Sequence, residues 1–504
     1  MALLECPPRG PQTSLDEPRE KGSGAPAPTI AELFSTSFDT DPTCDPAIEA
    51  RARRKVDRSV LVLLVLGLFV FQLDRMNLAS ALTGGFADDI HVDQATINLG
   101  NQLMFATVVV FEIPCNMALQ RFGTRKWISG QVFMFGLVAT TQVFIRNRAG
   151  FLAARVALGF AEAGYTPGAM YTLSLWYKPS ELAKRISVFF FGMFGGNAIS
   201  PILASLILRL DGRHGIHGWQ WIFLLEGLLT IVVSILIFLF LLESPDFPRS
   251  LTGLSFVSFS GDEQQVLQTR LEGRNVGHSR GKMVDLKTVW KTVSHYRRWP
   301  HYVSTLVVFS TFSPLSTYSP SIIVSLGFDR LTANALAAVG ASLALPVVFS
   351  FGYLSDRTNR RGATVISAQL CYLVILIVAR QTHPHVEGKW SRWGLWTAVN
   401  AFAVGYHPVH NSWTQLNCHE PAERSIALAM WVMSATTGLM IGAQYFQADD
   451  KPFYQNGLRT MVIMVSVGVV FATIQLIIYK VHNNRVDAGK RQLGDERLLI
   501  TYTP

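Results

Sequence analysis

Four ionisable side chains stand inside apolar stretches of this chain. Asp74 and Arg75 lie in "LDRMNLASA", and Arg155 and Glu162 lie in "RVALGFAEAGYTPGAMYTLSLWY". A charge at the centre of a bilayer costs about 2.5–3.5 kcal/mol even on the gentlest scale, so such residues face a protein interior or a wet cavity and carry function by default. Arg155, Gly159, Glu162 and Thr166 recur at helical spacing and share one face. Arg155 and Glu162 are seven residues apart, about 10 Å along a helix axis at ~1.5 Å per residue. They are too far apart to satisfy each other, so another helix must supply partners. The segment with Asp74 and Arg75 is the natural source.

These residue types suggest binding and proton chemistry. A guanidinium keeps its charge and makes two parallel hydrogen bonds to a carboxylate, which makes Arg75 the leading ligand for an organic anion. Arg155 is a second ligand or the partner of an acid. Asp74 and Glu162 are the proton-coupling acids: burial disfavours a carboxylate's charge and a nearby guanidinium restores it, so either can exchange a proton as its surroundings change. The alternative is a structural ion-pair network joining the two segments. His407 and His410 in "VGYHPVHNSW" are candidate helpers, His407 for proton coupling, although a buried histidine more often serves as hydrogen-bonded packing. Asn77, Tyr318 and Asn411 are candidate substrate-binding groups; they and Asn197 equally suit interhelical hydrogen bonding. Gly164, Pro167 and Gly168 loosen the helix beside the acid or simply allow close packing.

The elements that must position these groups are membrane helices. Of 504 residues, 49% are hydrophobic and only 16% charged, against about a quarter charged in a soluble chain. The polar residues cluster between twelve apolar runs: 60–82, 97–119, 127–145, 150–171, 186–208, 219–242, 302–326, 333–354, 364–379, 393–416, 426–446 and 458–481. Most reach the roughly 20 residues that span a hydrocarbon layer. The reading is an all-α integral membrane protein with twelve transmembrane helices in two six-helix pseudo-symmetric bundles. Its parts are a disordered tail 1–58, a first bundle 59–243, a linker 244–300, a second bundle 301–482 and a tail 483–504. Within the linker, "DEQQVLQTRLEGR" suits a short amphipathic helix. Equal halves around such a linker suggest internal duplication.

Basic clusters such as "RARRKVDR", "RFGTRK" and "DRTNRR" fall on one set of loops, whereas "GGFADDIHVD" has none. By the positive-inside bias, both termini are cytoplasmic. The net charge of +9 is therefore a topology signal rather than a sign of nucleic-acid binding. The five cysteines have no redox or metal spacing, so neither a disulfide framework nor a metal centre is expected. The first 58 residues do not resemble a cleavable signal peptide, so the first run is expected to serve as the insertion signal.

After the eighth run comes "GYLSDRTNRRG", with "NMALQRFGTRK" at the matching place after the second. Gly352 would let a neighbouring helix approach, and Asp356 with Arg357, Arg360 and Arg361 would form a conformational latch. Arg121 is its counterpart in the first half, where Gln120 replaces the acid. The alternative is that these are topology-setting residues only.

The stretch Gly352–Arg361 resembles the inner-loop signature of the major facilitator superfamily. "LDRMNLASA", the fourth-run motif, "GWQWIFLLEGLLT", "SLGFDRLTANAL" and "SWTQLNCHEPAERSIALAM", with Trp413, Asn417 and Arg424, resemble in order its anion:cation symporter branch and the fungal allantoate permease-like family. That resemblance implies a secondary transporter that carries small organic anions (carboxylates such as vitamins or ureides) with protons, driven by the proton gradient without a cofactor; a monomer in the plasma membrane is the default expectation. The chain departs from the family pattern at Gln120, at the two tenth-run histidines and at Gln447. Proton-driven export of an acidic metabolite is a rival; a non-transporting sensor is another. No nucleophile–base pair or phosphate loop supports an enzyme.

Overall fold

The computed structural model describes residues 46–177, 179–245, 258–275, 286–382, 387–418, 421–451, 453–493 and 501–503. All regular structure there is helical. The first half contains α1 (Val62–Thr83), α2 (Gln94–Phe122), α3 (Thr124–Thr141), α4, α5 (Pro179–Ile207) and α6 (Gly218–Phe240). The second contains α7, α8 (Arg330–Thr358), α9 (Arg361–Thr382), α10, α11 (Pro421–Gly442) and α12 (Gln455–Leu493). Among the described residues, eight helical segments are individually long and apolar enough to cross a membrane. α11 is a shorter apolar helix, and the other three crossings are broken: α4 into Arg148–Glu162 and Tyr165–Trp176, α7 into Trp299–Phe309 and Phe312–Ser325, α10 into Lys389–Phe402 and His407–Leu416.

Breaks inside a membrane are tolerated where protein groups take up the freed backbone. In α4 the break comes directly after Glu162: Ala163 leaves the helical region and Gly164 takes φ +79°. The Ala163 carbonyl accepts from the Gln131 side chain of α3 at 2.5 Å. A β-carbon on Gly164 would lie 2.8 Å from Cys115 Cβ of α2, and one on Gly159 would lie 2.4 Å from the Met104 carbonyl oxygen. α2 and α4 therefore touch backbone to backbone. Helix starts are capped as the sequence allows, with Asp93 accepting from Thr96 N and Asp329 from Thr332 N.

Large apolar side chains such as Val110, Ile113, Val232, Ile235, Val374 and Ile477 point outward, while Asp74, Glu112, Arg155, Glu162, Glu226 and His301 are buried. This inversion of a water-soluble surface suits lipid as the outer solvent.

The ends of the two bundles and Gly352 differ from the sequence expectations, while the linker helix agrees with them. Residues 46–56, read as tail, form a helix that leads through a π-turn into α1, and α12 continues to Leu493; residues 1–45 and 494–500 lie outside the described residues. The linker helix is present as Gly261–Asn275, with Ser260 and Glu263 capping each other reciprocally. Gly352 meets no neighbour: a β-carbon there would find open space within 4 Å.

Residues 501–503 fold back onto the second half. Thr503 exchanges backbone bonds with the Asn417 side chain (2.7 and 3.2 Å), and Tyr502 does the same with Asn483 (2.9 and 2.7 Å). Trp413 Nε1 donates to the Thr503 carbonyl at 2.8 Å, and the Tyr502 ring stacks on Tyr479 at 4.6 Å. Cys115, Cys371 and Cys418 are free thiols.

Candidate functional site

The partner that α4 needs comes from α1. Arg75 Nε donates to Glu162 Oε2 at 2.7 Å, with the Glu162 side chain fully buried and that of Arg75 still 19% exposed. The guanidinium lies over Phe71 (4.4 Å) and Phe105 (5.8 Å), which fix its plane while leaving its other nitrogens available. Among the described charges at this level Arg75 is the most exposed.

Arg155 is sealed. Its Nη1 approaches Met104 Sδ at 3.5 Å, a weak acceptor, its Nε has no partner, and its guanidinium lies 5.4 Å from the Phe151 ring centre. The opposite charge that acts on it is Glu162 of the same helix, without a hydrogen bond between them.

Asp74 points away from Arg75, as a 100° step around the helix requires. It meets Thr230 of α6, whose Oγ1 lies 3.1 Å from Asp74 Oδ2. Asn77 does not face a cavity; it is fully buried between Asp74 and Glu226. Glu226 on α6 and Glu112 on α2 were passed over in the sequence, although both sit inside apolar runs as plainly as Asp74 does. Glu112 is buried with Oε2 unpartnered, and the Arg75 charge acts on it.

A small cleft of about 50 Å³ lies between the halves, lined by Met76, Asn197, Phe312, Ser319, Asn400 and Val404 among others, room for about one or two water molecules in this conformation. Its wall is mostly apolar and Arg75 is not in it, although Met76 is the next residue. Asn197 binds Gln72 at 2.7 Å. Asn411 is taken up by Gln415 within α10.

Tyr318 has a different place from the one expected. Its hydroxyl donates to Asn98 Oδ1 of α2, across the halves. Around it Asn98 and Gln94 donate to the Phe446 carbonyl (both 2.9 Å), Asn101 to Thr317 (3.2 Å), Gln444 to Gln102 (3.1 Å) and Asn334 to Thr83 (2.7 Å). Helix direction puts all of these at the end of the bundle away from the termini, and that end is closed by neutral amides and hydroxyls.

The histidines pack. His407 stacks on Phe309 at 4.4 Å, and His410 lies 3.0 Å from His301, which reaches Tyr479 at 3.1 Å. The latch residues meet locally: Arg361 Nη2 donates to Asp356 at 2.9 Å, joining α8 to α9, while Arg357, Arg360 and Arg121 are exposed. Among the described residues no group of three His, Cys, Asp or Glu converges as a metal site.

A pseudo-symmetric helical bundle with broken helices at its centre and a buried Arg–Glu pair is the build of a secondary transporter. Residues 64–443 match the model of the Major Facilitator Superfamily, and the chain belongs to that superfamily: it is a membrane transporter with the twelve-helix fold, not an enzyme. It is 24% identical to an uncharacterized transporter of Saccharomyces cerevisiae, over 90% of this chain and 84% of that protein. It is 25% identical to a putative tartrate transporter of Agrobacterium vitis, over 66% of this chain and 74% of that one. A bacterial homologue of the human lysosomal transporter Spinster, solved inward-facing and unoccupied, superposes with a TM-score of 0.64 at 15% identity, covering 86% of this chain and 97% of that chain.

Proposed function

We propose that this transporter carries a small organic anion, a carboxylate, together with protons by alternating access, as a monomer in the plasma membrane with both termini cytoplasmic. The carrying observation is the bond between Arg75 and Glu162. While Glu162 is ionised it holds the guanidinium. A proton on Glu162 removes that charge and frees Arg75 for a substrate carboxylate, so anion and proton bind together. Arg155, buried without an oxygen partner in the described structure, adds positive potential on the same side. The similarity to a putative tartrate transporter of Agrobacterium vitis agrees with a carboxylate substrate. Asn197, Ser319 and Asn400 in the cleft between the halves would meet the remainder of such a molecule once that cleft opens.

The test is uptake of labelled small carboxylic acids, tartrate among them, into proteoliposomes with a pH gradient of either sign. Accumulation driven by an acid exterior supports symport, and expulsion against it supports export. Gradient-independent movement of neutral solutes alone would rule out the anion–proton reading.

A further inference from the structure

Arg75–Glu162 accounts for one acid, but α1 and α6 bury a second group of carboxyls. Asp74 and Glu226 are each 1% exposed, with Asn77 and Thr230 fully buried between them. Few donors reach them. The Thr230 hydroxyl has one hydrogen yet lies 3.0 Å from the Glu226 carbonyl and 3.1 Å from Asp74 Oδ2, both acceptors if Asp74 is ionised. The Asn77 amide gives the same result. Turned so that its nitrogen serves the Leu73 carbonyl (2.7 Å) and Glu226 Oε2, it presents its oxygen to Asp74 Oδ1 at 3.5 Å; turned the other way, it presents that oxygen to Glu226. In either orientation the amide donates to one acid at most, so the two carboxyls share one amide and one hydroxyl as side-chain donors. Glu226 Oε1 is buried without any partner.

Among the described residues no lysine or arginine hydrogen-bonds either acid. From α3, Gly136 packs on Thr230 and Thr140 on Gly227, and neither carries a charge. The charged group that acts on Asp74 from α4 is Glu162, already bound to Arg75. Two unpaired carboxylates in such a place would repel each other and lack solvation.

We propose that Asp74 and Glu226 hold one proton between them, a proton site separate from Glu162 and sealed from solvent in the conformation closed at the end away from the termini. Its role in transport rests on the symport reading above; its existence does not. With both sites used, the proton-to-solute ratio exceeds one.

Infrared difference spectroscopy on the full chain in lipid vesicles at neutral pH reads the carbonyl stretch of protonated carboxyls, which carboxylates lack. The double variant Asp74→Asn/Glu226→Gln is expected to lose a band that Glu162→Gln retains, and each single variant is expected to shift it. A folded double variant with an unchanged band would overturn the proposal, and a band indifferent to Glu226→Gln would exclude sharing. Glu226→Asp, which keeps the carboxyl, covers the case in which glutamine prevents folding. Proton flux measured with an internal pH dye separates the two ideas: solute movement without protons, with the band intact, would sink symport alone.

Discussion

Arg75 Nε and Glu162 Oε2 are 2.7 Å apart, joining α1 to the last residue of the first α4 segment, immediately before the chain breaks at Ala163. Changing Glu162 therefore alters both the freedom of a guanidinium and the place where a helix is interrupted. Glu162→Gln is expected to abolish gradient-driven accumulation while sparing exchange. Retained accumulation with an unchanged pH profile would show that Glu162 does not couple. Arg75→Lys keeps the charge and loses the fork, so substrate affinity should fall about tenfold or more; unchanged affinity would remove Arg75 from the site. Arg75→Ala, which strands a buried acid, should destabilise by about 3–5 kcal/mol in thermal unfolding.

The closed end of the bundle depends on Asn98, which accepts from Tyr318 and donates to the Phe446 carbonyl. Asn98→Ala leaves both without that partner, a loss of about 1–3 kcal/mol from this conformation. A cysteine placed at Ser319, in a chain with Cys371→Ser, should then react faster with an impermeant reagent applied from that side. An unchanged labelling rate would mean that these bonds do not hold the end shut.

The contact between α2 and α4 has no room at Gly159, where a β-carbon would meet the Met104 carbonyl oxygen at 2.4 Å. Gly159→Ala should lower stability by about 1–3 kcal/mol, and Gly159→Leu should prevent assembly. Recovery of monodisperse Gly159→Leu protein with wild-type thermal stability would contradict the packing described.

The folded-back residues 501–503 are held by Asn417 and Asn483. Asn417→Ala with Asn483→Ala removes four hydrogen bonds to their backbone, each worth about 0.5–1.5 kcal/mol net. Hydrogen exchange at residues 501–503 should rise sharply in the double variant, and exchange equal to wild type would show that the side chains do not hold this segment.

Glu263 docks the linker helix on the residues before α1, accepting from Lys55 at 2.6 Å and from Ser260 N at 2.9 Å. Burial works against its charge, but the Lys55 hydrogen bond leads the groups that outweigh it and hold the carboxyl below its ordinary value. A depressed acid stabilises the fold fully above its unfolded value and loses that contribution as pH falls through the folded one. The linker helix should therefore undock on acidification below the usual glutamate range, seen as faster hydrogen exchange over residues 261–275. Glu263→Gln should show the loosened state already at neutral pH.

The sequence by itself determined the class of protein, because length and hydropathy decide whether a helix can live in lipid, and these are properties of single segments. It also determined that Arg155 and Glu162 need outside partners, since helical rise fixes their separation whatever surrounds them. Only the tertiary structure decided which partner each charge received. Rotation about α1 turned Arg75 toward Glu162 and Asp74 toward α6, and no spacing within one helix encodes its angle against another. The same packing moved Tyr318 from a cavity wall to a joint with Asn98, left Gly352 facing open space and set Asn77 between two acids. Glu226 was visible as an acid in an apolar run, but its meaning as a neighbour of Asp74 exists only where α1 and α6 lie side by side.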